Sequence, residues 1–586
     1  MIRKIIRQML VAQVFSALTV SLCLLIDNIV IGRYLGEEAM AAYSFANPLL
    51  LIIGALGSLL AAGIQVACGK SLGKGSREET NAGFSSAIAI TAVVSVVFLL
   101  VVILFRSPMA RLLGAGQNGS LHDATSDYLA GFSIGAPGSM GALVLIPFLQ
   151  MGGQGGLLIV AVLCMTVTDI ALDLVSVLVI KNGMFGIGLA SSLSYYVAMV
   201  IAATYFLSRK CAFRFSLKQV TGRKIMELIR GGTPSGFNMA SAVILVFAMN
   251  QILKGSAGSS AVAAFTVVNS LGGAANCITT GTGSVSLTMS GILFNEEDRN
   301  GLRELLKLLC RYSVFLGLVM GTVLLIFSPF FVSLFLPTAD TAQQMAILGL
   351  RLFTAGMIPC CINNALKYLY QATGRVVLTE IISVAEGALF PSLVALLLSS
   401  IFGVTGAWFY FALGEWLTLG AIVLMVFFRN GNSLRKKDAF MLLRDDFGVA
   451  EEDLMESEIR SIQEVVSVAE QAEQFCLQHG QNPRIASHIA LCIEEKTSNT
   501  IQYGFTEDRN EHHLFVRILF KKDYWVLRFR DDCGAFDPVS YASDAGEEAL
   551  GIRLILAMAQ TANYTYSMNL NNLMLRLPSE TDKPNE

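Results

Sequence analysis

Long apolar runs almost free of charge dominate this chain, and no other feature restricts its fold as much. A helix needs about 20 such residues to cross the hydrocarbon core, because lipid offers the backbone no hydrogen bonds. Twelve runs qualify, at roughly 9–32, 43–68, 84–105, 128–150, 157–180, 185–207, 234–254, 260–290, 312–336, 345–370, 378–401 and 404–428. The fourth and eighth are rich in glycine. The first begins like a secretory leader, but its apolar run is too long and no small-x-small cleavage site follows, so it reads as the first span. From Arg429 onward charges become dense. Over the whole chain only 15% of residues are charged, against about 25% in soluble domains.

Lysine and arginine orient the spans. Arg3, Lys4 and Arg7 precede the first; Lys70, Lys74 and Arg77 follow the second; Arg299, Arg303 and Lys307 follow the eighth; Arg435, Lys436 and Lys437 follow the twelfth. The loop after the sixth span is the most basic of all. The expectation is a multi-pass plasma-membrane protein with both termini in the cytoplasm. A net charge of −2 gives no sign of nucleic-acid binding. Eleven cysteines without a C-x-x-C pair read as free thiols in a reducing compartment.

The chain also repeats itself. "DNIVIGRYLGEEAMAAYSFAN" (27–47) aligns without gaps on "MNQILKGSAGSSAVAAFTVVN" (249–269), at a constant offset of 222 residues. Gly69 and Arg77 continue the register to Gly291 and Arg299. Two six-span halves in the same orientation imply a parallel repeat about an axis along the membrane normal, with a substrate cavity between the halves. One difference stands out: Asp27 falls opposite Met249, so only the first half has this mid-span carboxylate. Asp169 and Asp173, four apart, lie on one face of the fifth span. A charged Asp at mid-bilayer costs about 2.5–3.5 kcal/mol on insertion scales, so such residues face a cavity or a partner. Asp27, Asp169 and Asp173 are candidates for binding H⁺ or Na⁺, and Glu386 is the second-half candidate. Arg351 is read as the main intramembrane cation.

With these residues in place, "IDNIVIGRYLGEEAMAAYSFANPLLLI", "ACGKSLGKGSREE", "DIALDLVSVLVIKNGMFGIGLASSLS" and "FGVTGAWFYFALGEWLT" resemble the multidrug and toxic compound extrusion (MATE) transporters over about the first 430 residues. The resemblance implies twelve helices in two lobes and efflux of amphipathic, cationic compounds in exchange for Na⁺ or H⁺. It places the family's essential span-one aspartate on Asp27, and its Asn-x-x-x-Asp pattern on Asp169 and Asp173, with Asp in the Asn position. The first span has no proline between Met9 and Gly32, so a proline-kink mechanism has no counterpart here. "GIQVACGKS" is not a phosphate loop: it has five residues between its glycines where four are needed, and it ends a membrane span rather than a strand.

The tail reads helix (about 460–480), helix (484–503), strands (512–520 and 524–530), helix (551–561) and a strand pair (563–577), enough for one α+β domain. Three segments carry candidate chemistry. Glu495 and Asn499 lie one turn apart in "ALCIEEKTSNTIQYGF", where a carboxylate can polarise a hydroxyl and an amide oxygen can ligate Mg²⁺. "FRDDCGAFDP" ends a strand in acids and a glycine turn. "GEEALGIRLI" brings a glycine into a helix N-terminus suited to phosphate. In this order they resemble the N, G1 and G2 boxes of the GHKL ATPases, with the anti-sigma-factor serine kinases as the nearest branch. That resemblance makes Glu495 the general base, Asn499 the Mg²⁺ ligand and Gly551 a phosphate-loop residue. The adenine-binding register is Asp531 if anchored on "FDP", or Asp532-Cys533-Gly534 in the rival alignment. Ala549 stands where a second glycine is usual.

The expected fold is thus an all-α polytopic membrane protein of twelve transmembrane helices in two six-helix repeats, plus a cytoplasmic α+β ATP-binding domain. Its segments are 1–220, 221–430, a linker at 431–457, 458–578 and a short end at 579–586. ATP, Mg²⁺ and H⁺ or Na⁺ are the expected cofactors. An amphipathic small molecule, the lipid bilayer and a cytoplasmic regulatory protein are the expected partners. Two further readings remain open: a membrane-tethered serine kinase that uses the bundle as a sensor, and a flippase for lipid-linked substrates.

Overall fold

The computed structural model describes residues 2–579 except 36, 114, 116–118, 209–210, 212, 337–340, 432, 434–437, 445–446, 506–511, 522 and 545–549. Among the described residues, nine helices are long and apolar enough to cross a membrane, or eleven when each of two bent pairs counts as one span. The bent pairs, kinked by 46° and 40°, are Ser120–Ser133 with Ala136–Met151 and Ser260–Ala275 with Ile278–Asn295. They fall on the two glycine-rich runs. Helix α1 (Ile2–Val30) occupies the position of the first expected span and ends in a π-helical turn, Ile31–Leu35.

One lobe comprises α1, α2 (Glu37–Gly73), α3 (Arg77–Leu112), α4 (Ser120–Ser133), α5 (Ala136–Met151), α6 (Gly155–Val175) and α7 (Gly183–Leu207). Its core includes Phe84, Tyr128, Met140 and Phe148. The second lobe comprises α8 (Gly222–Ala275), α9 (Cys277–Asn295), α10 (Arg299–Ser333), α11 (Thr341–Phe353), α12 (Met357–Ala372), α13 (Val376–Val384), α14 (Phe390–Phe402), α15 (Val404–Ala407) and α16 (Tyr410–Arg429). Gly258, at φ +70°, breaks α8 into two spans; few residues other than glycine tolerate that conformation.

The repeat is visible in the contacts. Gly69 and Gly291, equivalent at the 222-residue offset, meet face to face: a Cβ on Gly69 would lie 3.5 Å from the Gly291 Cα. A second equivalent set also pairs, with Gly281 against Val14 and Gly236 against Leu59. Small residues at these crossings let backbones approach where lipid supplies no hydrophobic drive.

The tail forms a five-stranded antiparallel sheet in the order β1-β2-β3-β5-β4. The strands are β1 (Leu454–Ile459), β2 (Leu514–Lys521), β3 (Tyr524–Asp531), β4 (Thr561–Ser567) and β5 (Leu570–Pro578). Helices α17 (Ile462–Gln478) and α18 (Pro483–Gly504) cover one face, burying Val465, Ile489, Ile518, Trp525, Leu527 and Leu575. Alternation places Arg517, Arg528 and Asn572 on the other face, which lies against the bundle. Two features differ from the sequence reading. Strand β1 begins inside the stretch expected to be linker, because its short mixed-polarity run resembles charged coil until it pairs with β2. Helix α19 (Pro538–Asp544) precedes the G2 segment and α20 (Leu550–Met558) begins inside it; only the second was expected.

Candidate functional site

Asp27 on α1 and Asp169 and Asp173 on α6 come together inside the first lobe, close enough to interact directly. They are 6%, 3% and 0% exposed. Asp27 Oδ1 and both Asp173 oxygens are buried without a hydrogen-bond partner among the described residues. Unmet buried oxygens cost free energy, and three adjoining carboxylates cannot all stay charged without a proton or cation between them. Tyr128, Tyr43 and Tyr195 close around the acids, with the Tyr43 and Tyr128 rings edge to face at 5.4 Å. The sequence reading missed these tyrosines, since single aromatics in apolar helices carry no pattern. Just past Asp173 the helix widens into a π turn, Ser176–Ile180, a distortion that often accompanies functional sites.

The second lobe handles its acids differently. Glu386 sits in another π turn, Ala385–Leu389. Its Oε2 lies 3.1 Å from Lys367 Nζ, and Asn364 Nδ2 donates to its Oε1 at 3.2 Å. Glu415 Oε2 accepts from Asn363 Nδ2 at 2.8 Å. Glu386 is therefore held in an ion pair with Lys367 in this structure. Lys367 joins Arg351 as a cation inside the same apolar span: Lys367 is 2% exposed, whereas the Arg351 side chain is exposed and donates to Ser328 Oγ at 3.0 Å. Lys367 lies near the end of an apolar run, where a lone lysine looks interfacial. Gln65 Nε2 lies 2.9 and 3.0 Å from Ser284 Oγ and Thr288 Oγ1 across the lobes, and 3.1 Å from Gln150 Oε1 within its own lobe.

In the tail, Glu495 and Asn499 on α18 face Gly551 at the start of α20. A Cβ on Gly551 would lie 2.4 Å from Glu495 Oε2 and 3.7 Å from Asn499 Nδ2, so glycine keeps this cradle open. The two adjacent aspartates separate. Asp531, 2% exposed, turns toward α18: Lys496 Nζ is 3.8 Å away, and Asn571 Nδ2 and the Cys533 N–H donate to Oδ1 at 2.6 and 3.2 Å. Asp532 turns to the other side, taking the His513 N–H at 3.0 Å and lying 3.4 Å from His512. Asp531 thus shares the face of Glu495 and Asn499, and Asp532 does not. Gly534 lies in open space, its carbonyl bound by Asn571. Burial pushes the Lys496 ammonium below its usual pKa, with Asp531 opposing that shift. Residues 545–549, including Ala549, lie outside the described residues.

The chain is thus a bundle of two repeated helical lobes, with three buried aspartates gathered in the first and two buried glutamates in the second. Residues 13–175 match the MatE family model. The bundle has the fold of solved MATE structures: one in complex with MaL6 superposes with a TM-score of 0.67 at 18% identity, over 72% of this chain and 94% of that one. An outward-facing multidrug resistance MATE transporter gives 0.66 at 19%, over the same shares. Among curated proteins, the chain is 25% identical to the probable multidrug resistance protein YoeA of Bacillus subtilis (strain 168) over 332 residues, 54% of this chain and 70% of YoeA. It is 31% identical over 121 residues to an FAD transporter of Shewanella oneidensis, covering 21% of this chain and 25% of that protein.

Proposed function

We propose that the bundle is a cation-coupled antiporter that exports amphipathic, cationic compounds, and that the tail is an ATP-binding domain that regulates it. One observation carries the transport reading: three buried aspartates gathered in the first lobe, with oxygens that lack a donor among the described residues. Protons or Na⁺ offset its charge, and the loaded and empty clusters favour different packing of α1 against α6. Alternation of the lobes about the cavity then couples ion entry to substrate exit. The multidrug descriptions of YoeA and of the solved MATE transporters agree with this substrate class. Twelve spans with both termini in the cytoplasm fit the basic loops.

In the tail, Asn499 would hold Mg²⁺ and Gly551 would admit phosphates to the start of α20. Glu495 would orient a water or hydroxyl, and Asp531 would receive the adenine amine in place of its contact with Lys496. Bound ATP supplies negative charge and a transferable phosphoryl group. The residues present suit it, because Glu495 and Asn499 both face Gly551, where any side chain would crowd them.

Dye efflux in inverted vesicles, driven by an imposed pH or Na⁺ gradient, tests the transport reading. Asp27→Asn should reduce gradient-driven efflux at least tenfold. Equal efflux from this variant would remove the acid cluster from the mechanism.

A further inference from the structure

The outer face of the tail sheet poses an electrostatic problem. Arg517 on β2 is directly opposite Arg528 on β3, and like charges in opposed positions destabilise a sheet. Arg530 follows two residues on, on the same face. A domain built to stand alone would leave these groups in water, yet Arg528 is 6% exposed. Glu456, opposite Arg517 on β1, lies 3.2 Å from its Nε, and the turn between α9 and α10 supplies the remaining counter-charges. Arg517 Nη1 meets Asp298 Oδ2 at 2.7 Å, Arg528 Nη1 lies 3.6 Å from Glu296 Oε1, Arg530 also pairs with Glu296, and Lys521 pairs with Glu297. Glu296 and Asp298 are themselves 3% and 4% exposed.

The same domain grips the other lobe. Arg528 Nη2 donates to the Gly73 carbonyl at the end of α2 at 3.4 Å. Arg77 at the start of α3 pairs with Asp537 at 2.7 Å. The β4–β5 hairpin turns through Met568 and Asn569, both at positive φ (55° and 60°), the signature of a type I′ turn. Its tip docks where α5 ends: the Met568 N–H donates to the Met151 carbonyl at 2.7 Å, and Asn569 Nδ2 donates to the Gly153 carbonyl at 3.0 Å. The Met568 side chain packs against the apolar clusters of both lobes.

From this geometry we infer that the arginine-bearing face and hairpin of the tail are a docking surface for both lobes at once, acting as a removable bolt. While docked, it holds the tail-side ends of α2, α5 and α9 together, where Gly73 already abuts the Ile292 carbonyl. Opening the cavity on that side requires withdrawing Met568 and breaking the pairs with Glu296 and Asp298. Asp537 ties the bolt to the candidate nucleotide loop. It lies three residues past Gly534, and its Oδ1 accepts from the Val539 and Ser540 N–H groups at the start of α19. The inference rests on alternation of the two lobes, as proposed above.

The test is a charge swap in the full-length protein. Arg530→Glu and Glu296→Arg are made singly and together, with Met568→Asp as a second means of undocking that leaves the charges in place. Hydrogen exchange at the Met568 amide reports docking. Spin labels on non-natural residues at the exposed positions Glu78 and Lys307 report lobe separation on the tail side. Dye efflux reports transport. The single variants and Met568→Asp should lose amide protection, add a longer distance between the labels and change the efflux rate about fivefold or more, in the range of usual coupling energies. The double swap should restore protection and the short distance. Lost protection with an unchanged distance distribution overturns the bolt, and protection that persists in every variant overturns the docking surface itself. Opened lobes without efflux in any form would uphold the bolt and sink the antiporter reading.

Discussion

At the scale of single residues, the two lobes use carboxylates in opposite ways. Asp27 and Asp173 keep unmet oxygens, whereas Glu386 is held by Lys367 and Asn364. Removing one partner of a buried pair leaves an uncompensated charge, which costs about 3–5 kcal/mol. Lys367→Met should therefore lower the melting temperature in detergent sharply, while Lys367→Met with Glu386→Gln should recover most of the loss. A single variant as stable as the wild type would mean that Glu386 is not charged in the fold. The sequence announces the acids because carboxylates are rare in apolar runs. It does not announce their partners, because pairing depends on which helices meet, and α12 meets the π turn at Glu386 only in three dimensions. The same gap hid the tyrosines around Asp27 and left the choice between Asp531 and Asp532 open, since two neighbours on a strand point to opposite faces whichever way the strand is turned.

At the scale of elements, glycine decides where helices can cross. On α2, a Cβ at Gly63 would lie 1.9 Å from the Leu228 carbonyl oxygen, whereas a Cβ at Gly54 would meet nothing within 4 Å. Backbone atoms cannot step aside as a side chain can. Gly63→Ala should destabilise the protein by about 1–3 kcal/mol, as overpacking does, while Gly54→Ala should stay within about 0.5 kcal/mol. Thermal unfolding in detergent reads both, and equal behaviour would contradict the α2–α8 crossing. Nine to eleven spans among the described residues were legible, because membrane helices follow largely from length and hydropathy. Most of the tail was also legible, through the alternation in β2 and β3. Strand β1 was not, because its sequence gains a strand's character only from the partner it pairs with.

At the scale of the whole molecule, the candidate nucleotide cradle and the acid cluster belong to one connected body. Coupling between sites is reciprocal: if nucleotide alters docking, docking alters nucleotide affinity by the same factor. Mg-ATP should therefore change hydrogen exchange at the Met568 amide, and Asn499→Ala should abolish that response together with Mg-ATP affinity. An unchanged response in Asn499→Ala would remove that residue from the site. None of this connection was legible in the sequence, because the residues it joins lie in distant segments that share no motif.

The hairpin contact also has a consequence for biosynthesis. Asn569 grips Gly153 across 416 residues of chain. At roughly 5–20 residues per second, α5 waits about 20–80 s on the ribosome's schedule before the hairpin exists. The closing contact therefore forms long after α5 is made, and it needs both lobes already side by side. A bundle inserted with its halves apart would leave Met568 without its niche and could not satisfy the contacts with Gly73 and Glu296 together. The hairpin thus inspects the assembly of the two lobes translated before it.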